Sequence, residues 1–312
     1  MKLDPRNFSV CLATPNQSAL SLGAGYVRSL RHAVFEMETR HAKVSFADTI
    51  PDTIVVDARE RLQHEQDLVR TRSRLMRLYD ERSHSEWLGW WDDDVSIEDP
   101  TTFVTMLTLG VQCDLDAIGA IVPRKYFDPK ALVANVEWAL ATTRRATDGK
   151  GHIIPPPPTD EEIARAKNVL EHPLRYAFSK DSFALRNFTP RPDYRPPHDA
   201  LWRVDQLGMG CVLMRRHAVR RLLEHLEREH PRLRAKDPML GGRTTAAFLL
   251  EIDDDEELNS EDNSMWRRWA EAGLQLFAYI GPGADSFTHT GTYGFSADHT
   301  CLLGGPGKML KP

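Results

Sequence analysis

The sequence predicts an α/β fold, with a mixed, mostly parallel central sheet and helices on both faces. Two observations point there. Short apolar runs recur along the chain, and longer segments with helical apolar spacing lie between them. The runs are also apolar without alternation, as in Phe8–Ala13, Trp87–Trp91 and Asp116–Pro123, which suits strands covered on both faces.

The first strand is expected over Phe8–Ala13 and stops at the turn signal Thr14-Pro15-Asn16. Leu20–Arg40 has apolar spacing compatible with a helix, and Lys43–Ala47 and Thr53–Asp57 are short β-like runs. A long helix is expected from about Glu60 to Arg82. In it Arg70, Arg74 and Arg77 follow i, i+4, i+7 spacing and share one face. The buried strand Trp87-Leu88-Gly89-Trp90-Trp91 then ends in Asp92-Asp93-Asp94. Asp92 and Asp94 lie two apart, so in extended chain they share a side. With no basic residue from Glu86 to Pro100, their repulsion asks for water or a cation. Oxygen ligands favour a hard ion, Mg²⁺ or Mn²⁺.

Glu98-Asp99-Pro100 reads as a helix start, with the apolar face Phe103–Leu109 behind it. A strand over Asp116–Pro123 and a helix over Leu132–Thr143 follow. Four consecutive prolines close the stretch up to Pro158, and a helix begins at the acidic Asp160-Glu161-Glu162. Phe188–Pro197 reads as a long irregular loop. Val204–Met214 reads as one apolar strand, with Gly208 and Gly210 marking a close backbone approach. His217–Glu229 is an amphipathic helix. Asp253–Asp255 sits among further acids and reads as a solvated loop. Ser260 caps a helix that opens with Glu261-Asp262 and stops at Gly273. Leu274–Ile280 is taken as the last strand, before a tail carrying His289.

At 312 residues the chain is read as one domain, 1–312, with an insertion at about 128–200 between Pro-rich stretches. A net charge of -5 does not advertise a nucleic-acid binder. There is no run of about 18 apolar residues, so no membrane span is expected. The start carries no signal-peptide pattern. Cys11, Cys113, Cys211 and Cys301 form no CxxC pair, which fits reduced thiols in a cytoplasmic protein.

Taken together, five parts in order resemble the metal-dependent glycosyltransferases of the type A (nucleotide-diphospho-sugar transferase) fold, which is Rossmann-like. They are the strand ending at Thr14-Pro15, the helix with Arg70-Thr71-Arg72-Ser73-Arg74, the DXD triplet Asp92–Asp94, the segment from Gly208 to Arg216, and Ser260-Glu261-Asp262 followed by His289-Thr290-Gly291. The section from 128 to 200 is not covered.

The resemblance implies a nucleotide-diphosphate sugar donor, a UDP-sugar first, held by Thr14, Pro15, Arg70, Arg74, Asp92 and Asp93. It implies Mn²⁺ or Mg²⁺ on Asp94 and His289, with Asp92 on the ribose or on a metal-bound water. Asp262 is the expected base for an acceptor hydroxyl, with Glu261 orienting it or binding acceptor, if the reaction inverts the sugar. Gly208, Gly210 and Trp266 are the expected substrate-side residues. A glycan or a hydroxylated DNA base would serve as acceptor. A DNA acceptor would need a basic channel, for which Arg124, Lys125, Arg215, Arg216, Arg220 and Arg221 are candidates. Two alternatives stand beside this one. A nucleotidyltransferase also uses carboxylate-bound metal, but Leu22-Gly23-Ala24-Gly25 is a poor triphosphate grip. The other alternative is a non-catalytic metal- or carbohydrate-binding protein.

Overall fold

The structure is a computed structural model that describes residues 8–13, 28–29, 31–33, 35–36, 64–92, 95–122, 129–147, 158–171, 186–187, 195–238, 240–252, 256 and 258–289. The chain forms two compact units. One comprises Met1–Val122 and Ala184–Thr290, the other Pro123–Phe183 and Gly291–Pro312.

The first unit is built on a sheet of β1 (Val10–Ala13), β2 (Trp87–Trp91), β4 (Ala117–Ala120), β5 (Arg186–Asn187), β6 (Leu201–Gln206), β7 (Cys211–Arg215) and β10 (Leu276–Tyr279). The strand order is β1-β2-β7-β4-β10-β6-β5. β1 and β2 pair in parallel, as do β4 and β10, while β7 and β6 run against their neighbours. Five of the seven strands therefore share one direction, and the sheet is mixed but mostly parallel in orientation. Continuous apolar runs do mark its centre: every residue of β2, β4 and β10 is buried.

Val204–Met214 is not one strand. Val204 belongs to β6 beside β10, whereas Cys211–Met214 belong to β7 between β2 and β4. Residues 207–210 join the two strands, and Gly210 is packed rather than open. A Cβ there would meet Val95 Cγ2 and Val122 Cγ2, each at 3.2 Å. The close approach read from this glycine is thus made by the protein's own valines.

Helices fall near the expected spans: α1 (His64–Arg82), α2 (Thr101–Gln112), α5 (Arg216–Glu229) and α6 (Glu261–Glu271). The Asp99 carboxylate accepts from the Thr101 N–H and hydroxyl at 3.0 and 2.7 Å, fixing the turn into α2. Ser260 caps α6 by accepting from the Asn263 N–H at 3.3 Å, and Gly273, at φ 71°, follows its end.

β10 is not the last strand. β11 (Phe287–His289) pairs antiparallel with β3 (Val95–Ile97), setting His289 opposite Val95. Ser29 braces β3 from the helical residues 28–29: its hydroxyl donates to Ile97 O and accepts from Ile97 N–H. A second hairpin pairs β8 (Arg234–Lys236) with β9 (Arg243–Thr245).

In the second unit, α3 (Pro129–Thr147) packs on α4 (Asp160–Glu171) through Ala139, Ala166, Val169 and Trp138. The Arg165 guanidinium lies over the Trp138 ring, 4.8 Å from its centroid. This unit's middle segment ends at Phe183, earlier than the expected boundary near 200, because β5 already belongs to the sheet. No helix among the described residues is long and apolar enough to cross a membrane.

Candidate functional site

β2 delivers Asp92 at its carboxyl end, where the Asp92 N–H donates to Gly210 O at 3.0 Å. Sites in α/β sheets commonly lie beyond such strand ends. The chain then closes tightly: the Val95 N–H donates to Asp92 O at 3.0 Å, and the Trp91 indole donates to Val95 O at 3.0 Å. Both bonds tie β2 to β3 across the triplet. Asp93 and Asp94 themselves lie outside the described residues, as do Thr14 and Pro15. Chain connectivity nevertheless leaves Asp94 one residue from Val95, the backbone partner of His289.

The element that gathers the carboxylates is Arg72. It is 2% exposed, on the stripe of α1 that also buries Val69, Met76 and Tyr79. Its Nη2 donates to both oxygens of Asp92 at 3.1 and 3.2 Å. Its Nη1 donates to Asp262 Oδ1 and lies 3.4 Å from Glu261 Oε1. The other Asp262 oxygen accepts from the Met209 N–H at 3.1 Å. One guanidinium thus joins the end of β2, the start of α6 and, through Asp262, the β6–β7 connection. Burial works against the charge on Arg72. Asp262, then Asp92 and Glu261, outweigh it and hold the guanidinium above its usual range. Phe248 covers this cation with its ring centroid 5.8 Å away, and Arg72 Nε has no hydrogen-bond partner.

Three carboxylates thus share one guanidinium. The carboxylates are also its more exposed members: side chains of Asp92, Glu261 and Asp262 are 22%, 18% and 17% exposed, against 3% for Arg72. The carboxylates therefore form the more accessible side of the cluster. Neighbouring Cys211 is shielded. Burial, with a smaller contribution from Asp92, pushes its thiol well above the usual range, so it stays neutral.

Arg74 is engaged elsewhere. Arg70 is on the exposed side of α1. Arg74 is committed to Asp237, with Nε 3.1 and 2.9 Å from its two oxygens. Asp237 is itself buried and also accepts from the Thr244 hydroxyl at 2.9 Å and the Leu240 N–H at 3.2 Å. Arg77 is held by Glu81, Gly241 O and Thr244. Two members of the expected cationic wall, Arg74 and Arg77, are therefore struts between α1 and the β8–β9 hairpin. The i, i+4, i+7 spacing picked the half-exposed face. The informative signal was an arginine in the apolar stripe, since a buried guanidinium must be paired.

Trp266 is not a sugar-stacking platform. It is fully buried, its indole N–H donates to Leu207 O, and it packs edge-on to Trp269 at 5.6 Å. Gly208 is half-buried in the β6–β7 connection and Gly210 is buried. The site thus joins Asp92, Glu261 and Asp262 through Arg72, with the β3–β11 pair adjoining in the chain.

No protein-family model matches this chain, and no curated protein matches it. Among solved structures it is similar to the crystal structure of A197 from STIV, with a TM-score of 0.34 and 10% identity over 92% of this chain and 97% of that one.

Proposed function

We propose that the protein is a metal-dependent glycosyltransferase that moves a sugar from a nucleotide-diphosphate donor to a hydroxyl acceptor. The observation that carries this reading is the meeting of Asp92 with Glu261 and Asp262 on one buried guanidinium. The β3–β11 register supports it, because it sets His289 beside the residue that follows Asp94.

A cluster of carboxylates, with His289 on the strand paired to the residue that follows Asp94, fits a divalent ion such as Mn²⁺ or Mg²⁺. Asp94 and His289 would hold the ion, with Asp92 adjoining. When bound, such an ion stabilises a departing nucleotide diphosphate as a Lewis acid. The chain's own residues supply the rest. Arg72 keeps Asp92 and Asp262 in fixed relation, so the donor side and the acceptor side are aligned before substrate arrives. The Met209 N–H fixes the second Asp262 oxygen. Each oxygen of Asp262 retains a further lone pair, one of which takes the acceptor hydroxyl's proton if the reaction inverts the sugar. Glu261, next to it, orients that acceptor.

A thermal-shift screen of nucleotide sugars with and without Mn²⁺ tests the proposal. At about a hundred times its dissociation constant, a ligand of the folded state adds about 2.7 kcal/mol. A shift of several degrees requiring both a nucleotide-diphosphate sugar and the ion, and absent in Asp94→Asn, is the expected result. If no nucleotide diphosphate raises the melting temperature with any divalent ion, the proposal fails.

A further inference from the structure

The far end of α6 carries a second group of side chains with different chemistry. His225 lies in the last turns of α5, His230 is the residue after that helix, and Glu271 ends α6. One ligand atom from each falls within 4.8 Å of the others. His230 Nε2 and Glu271 Oε2 are already 3.1 Å apart. The rings of His225 and His230 have centroids 5.9 Å apart, and His225 Nε2 is buried with no hydrogen-bond partner. An imidazole nitrogen buried without a partner beside a second imidazole and a carboxylate is costly unless something occupies it.

We propose that His225, His230 and Glu271 form a binding site for a borderline transition cation, Zn²⁺ first. Two imidazoles and a carboxylate are a donor set suited to Zn²⁺. Ligands at about 2.0–2.1 Å around a tetrahedral ion stand about 3.4 Å apart. The His230–Glu271 pair is close to that spacing at 3.1 Å, and a His225 ligand atom lies within 4.8 Å of both. The main-chain environment also favours a cation. α5 and α6 both end here, and helix C-termini carry partial negative charge.

Three protein ligands leave a fourth position open, and the group adjoins a cavity of about 360 Å³. Its wall includes Arg221 and Arg228, which oppose a cation, and Glu224 and Glu271, which offset them. Arg228 is further engaged by Glu229 at 2.6 Å. Glu271 also faces Arg267 at 3.5 Å, a contact the ion would weaken. This site is separate from the carboxylate cluster. The 11 residues of α6 place Glu271 about 15 Å along the helix from its acidic start.

The test is calorimetric titration of the full-length chain with Zn²⁺ at micromolar protein, repeated with Co²⁺ to read the visible band of a tetrahedral site. His230→Gln and Glu271→Gln are both at partly exposed positions, so the fold should survive, and circular dichroism verifies that it does. Asp94→Asn separates this site from the carboxylate cluster. The expected result is one equivalent bound by Asp94→Asn, the background in which His230→Gln and Glu271→Gln are compared, with the wild type binding at most one more at the carboxylate cluster. Affinity should fall at least about tenfold in each of the other two variants. Absence of stoichiometric Zn²⁺ binding overturns the proposal, and so does unchanged affinity in His230→Gln and Glu271→Gln.

Discussion

Replacing Arg72 by Met removes the one cation that joins three carboxylates while keeping most of the side chain's buried stem. Its side chain is 3% exposed and its partners are 17–22% exposed, so water screens these pairs little. At an effective dielectric of about 20, a pair 3.2 Å apart attracts by roughly 5 kcal/mol before desolvation is counted. Desolvating the guanidinium cancels much of that, and removing one member of a buried pair typically costs about 3–5 kcal/mol. The carboxylates can partly rehydrate once Arg72 is gone, which places the expected loss near the lower end, about 3 kcal/mol. Urea denaturation followed by circular dichroism should show a lower midpoint at unchanged slope.

Two further measurements separate lost charge from lost packing. In the variant the carboxylates lose this counter-charge, so added salt, which screens their repulsion, should narrow the gap to wild type. Arg72→Met with Asp92→Asn removes one of the repelling charges and should be more stable than Arg72→Met alone; it also serves if the single variant does not fold. A loss below about 1 kcal/mol, or a gap to wild type that widens with added salt, would refute the view that Arg72 is the electrostatic centre of the site.

Ser260→Ala removes the α6 cap and should cost about 1 kcal/mol in thermal or urea unfolding, with the Glu261–Asp262 end of the helix exchanging amide protons faster. Asp237→Ala leaves Arg74 without its carboxylate, and the Thr244 hydroxyl and Leu240 N–H without their acceptor. A loss of about 3–4 kcal/mol in denaturant midpoint analysis is expected. Tyr79 is held neutral in the folded protein above its ordinary value of 10.0, mainly by burial, against a smaller opposing effect of Arg216. The unfolded chain therefore gives up this proton first, so the native state binds more protons above about pH 10 and stability must fall as pH rises through that range. Ultraviolet titration of the phenolate should show one tyrosine ionising only as the protein unfolds, and Tyr79→Phe should flatten the decline.

What the sequence showed and what it hid follow from different physics. Trp87–Trp91 was legible as a buried strand because five apolar residues in a row have few alternatives, and all five are buried. Ser260 was legible as a cap because capping is local chemistry, confined to a few residues. Strand direction was not legible in the same way. Cys211–Arg215 is as apolar as a parallel strand, yet it runs antiparallel between β2 and β4, and burial alone does not encode the sense of the chain. Nor was β11 legible: three residues with a threonine and a histidine carry too little pattern, and their strand character comes from the partner Val95–Ile97. The site shows the same division. Asp92, Glu261 and Asp262 stood out as acidic residues at element ends. Their common partner did not, because Arg72 lies among other arginines in one helix, and only the folded sheet distinguishes the one pointing inward from those at its sides. Helical spacing says which residues share a face. It does not say which face meets the carboxylates, and here the stripe that buries Val69 and Met76 carries the cation that binds those carboxylates.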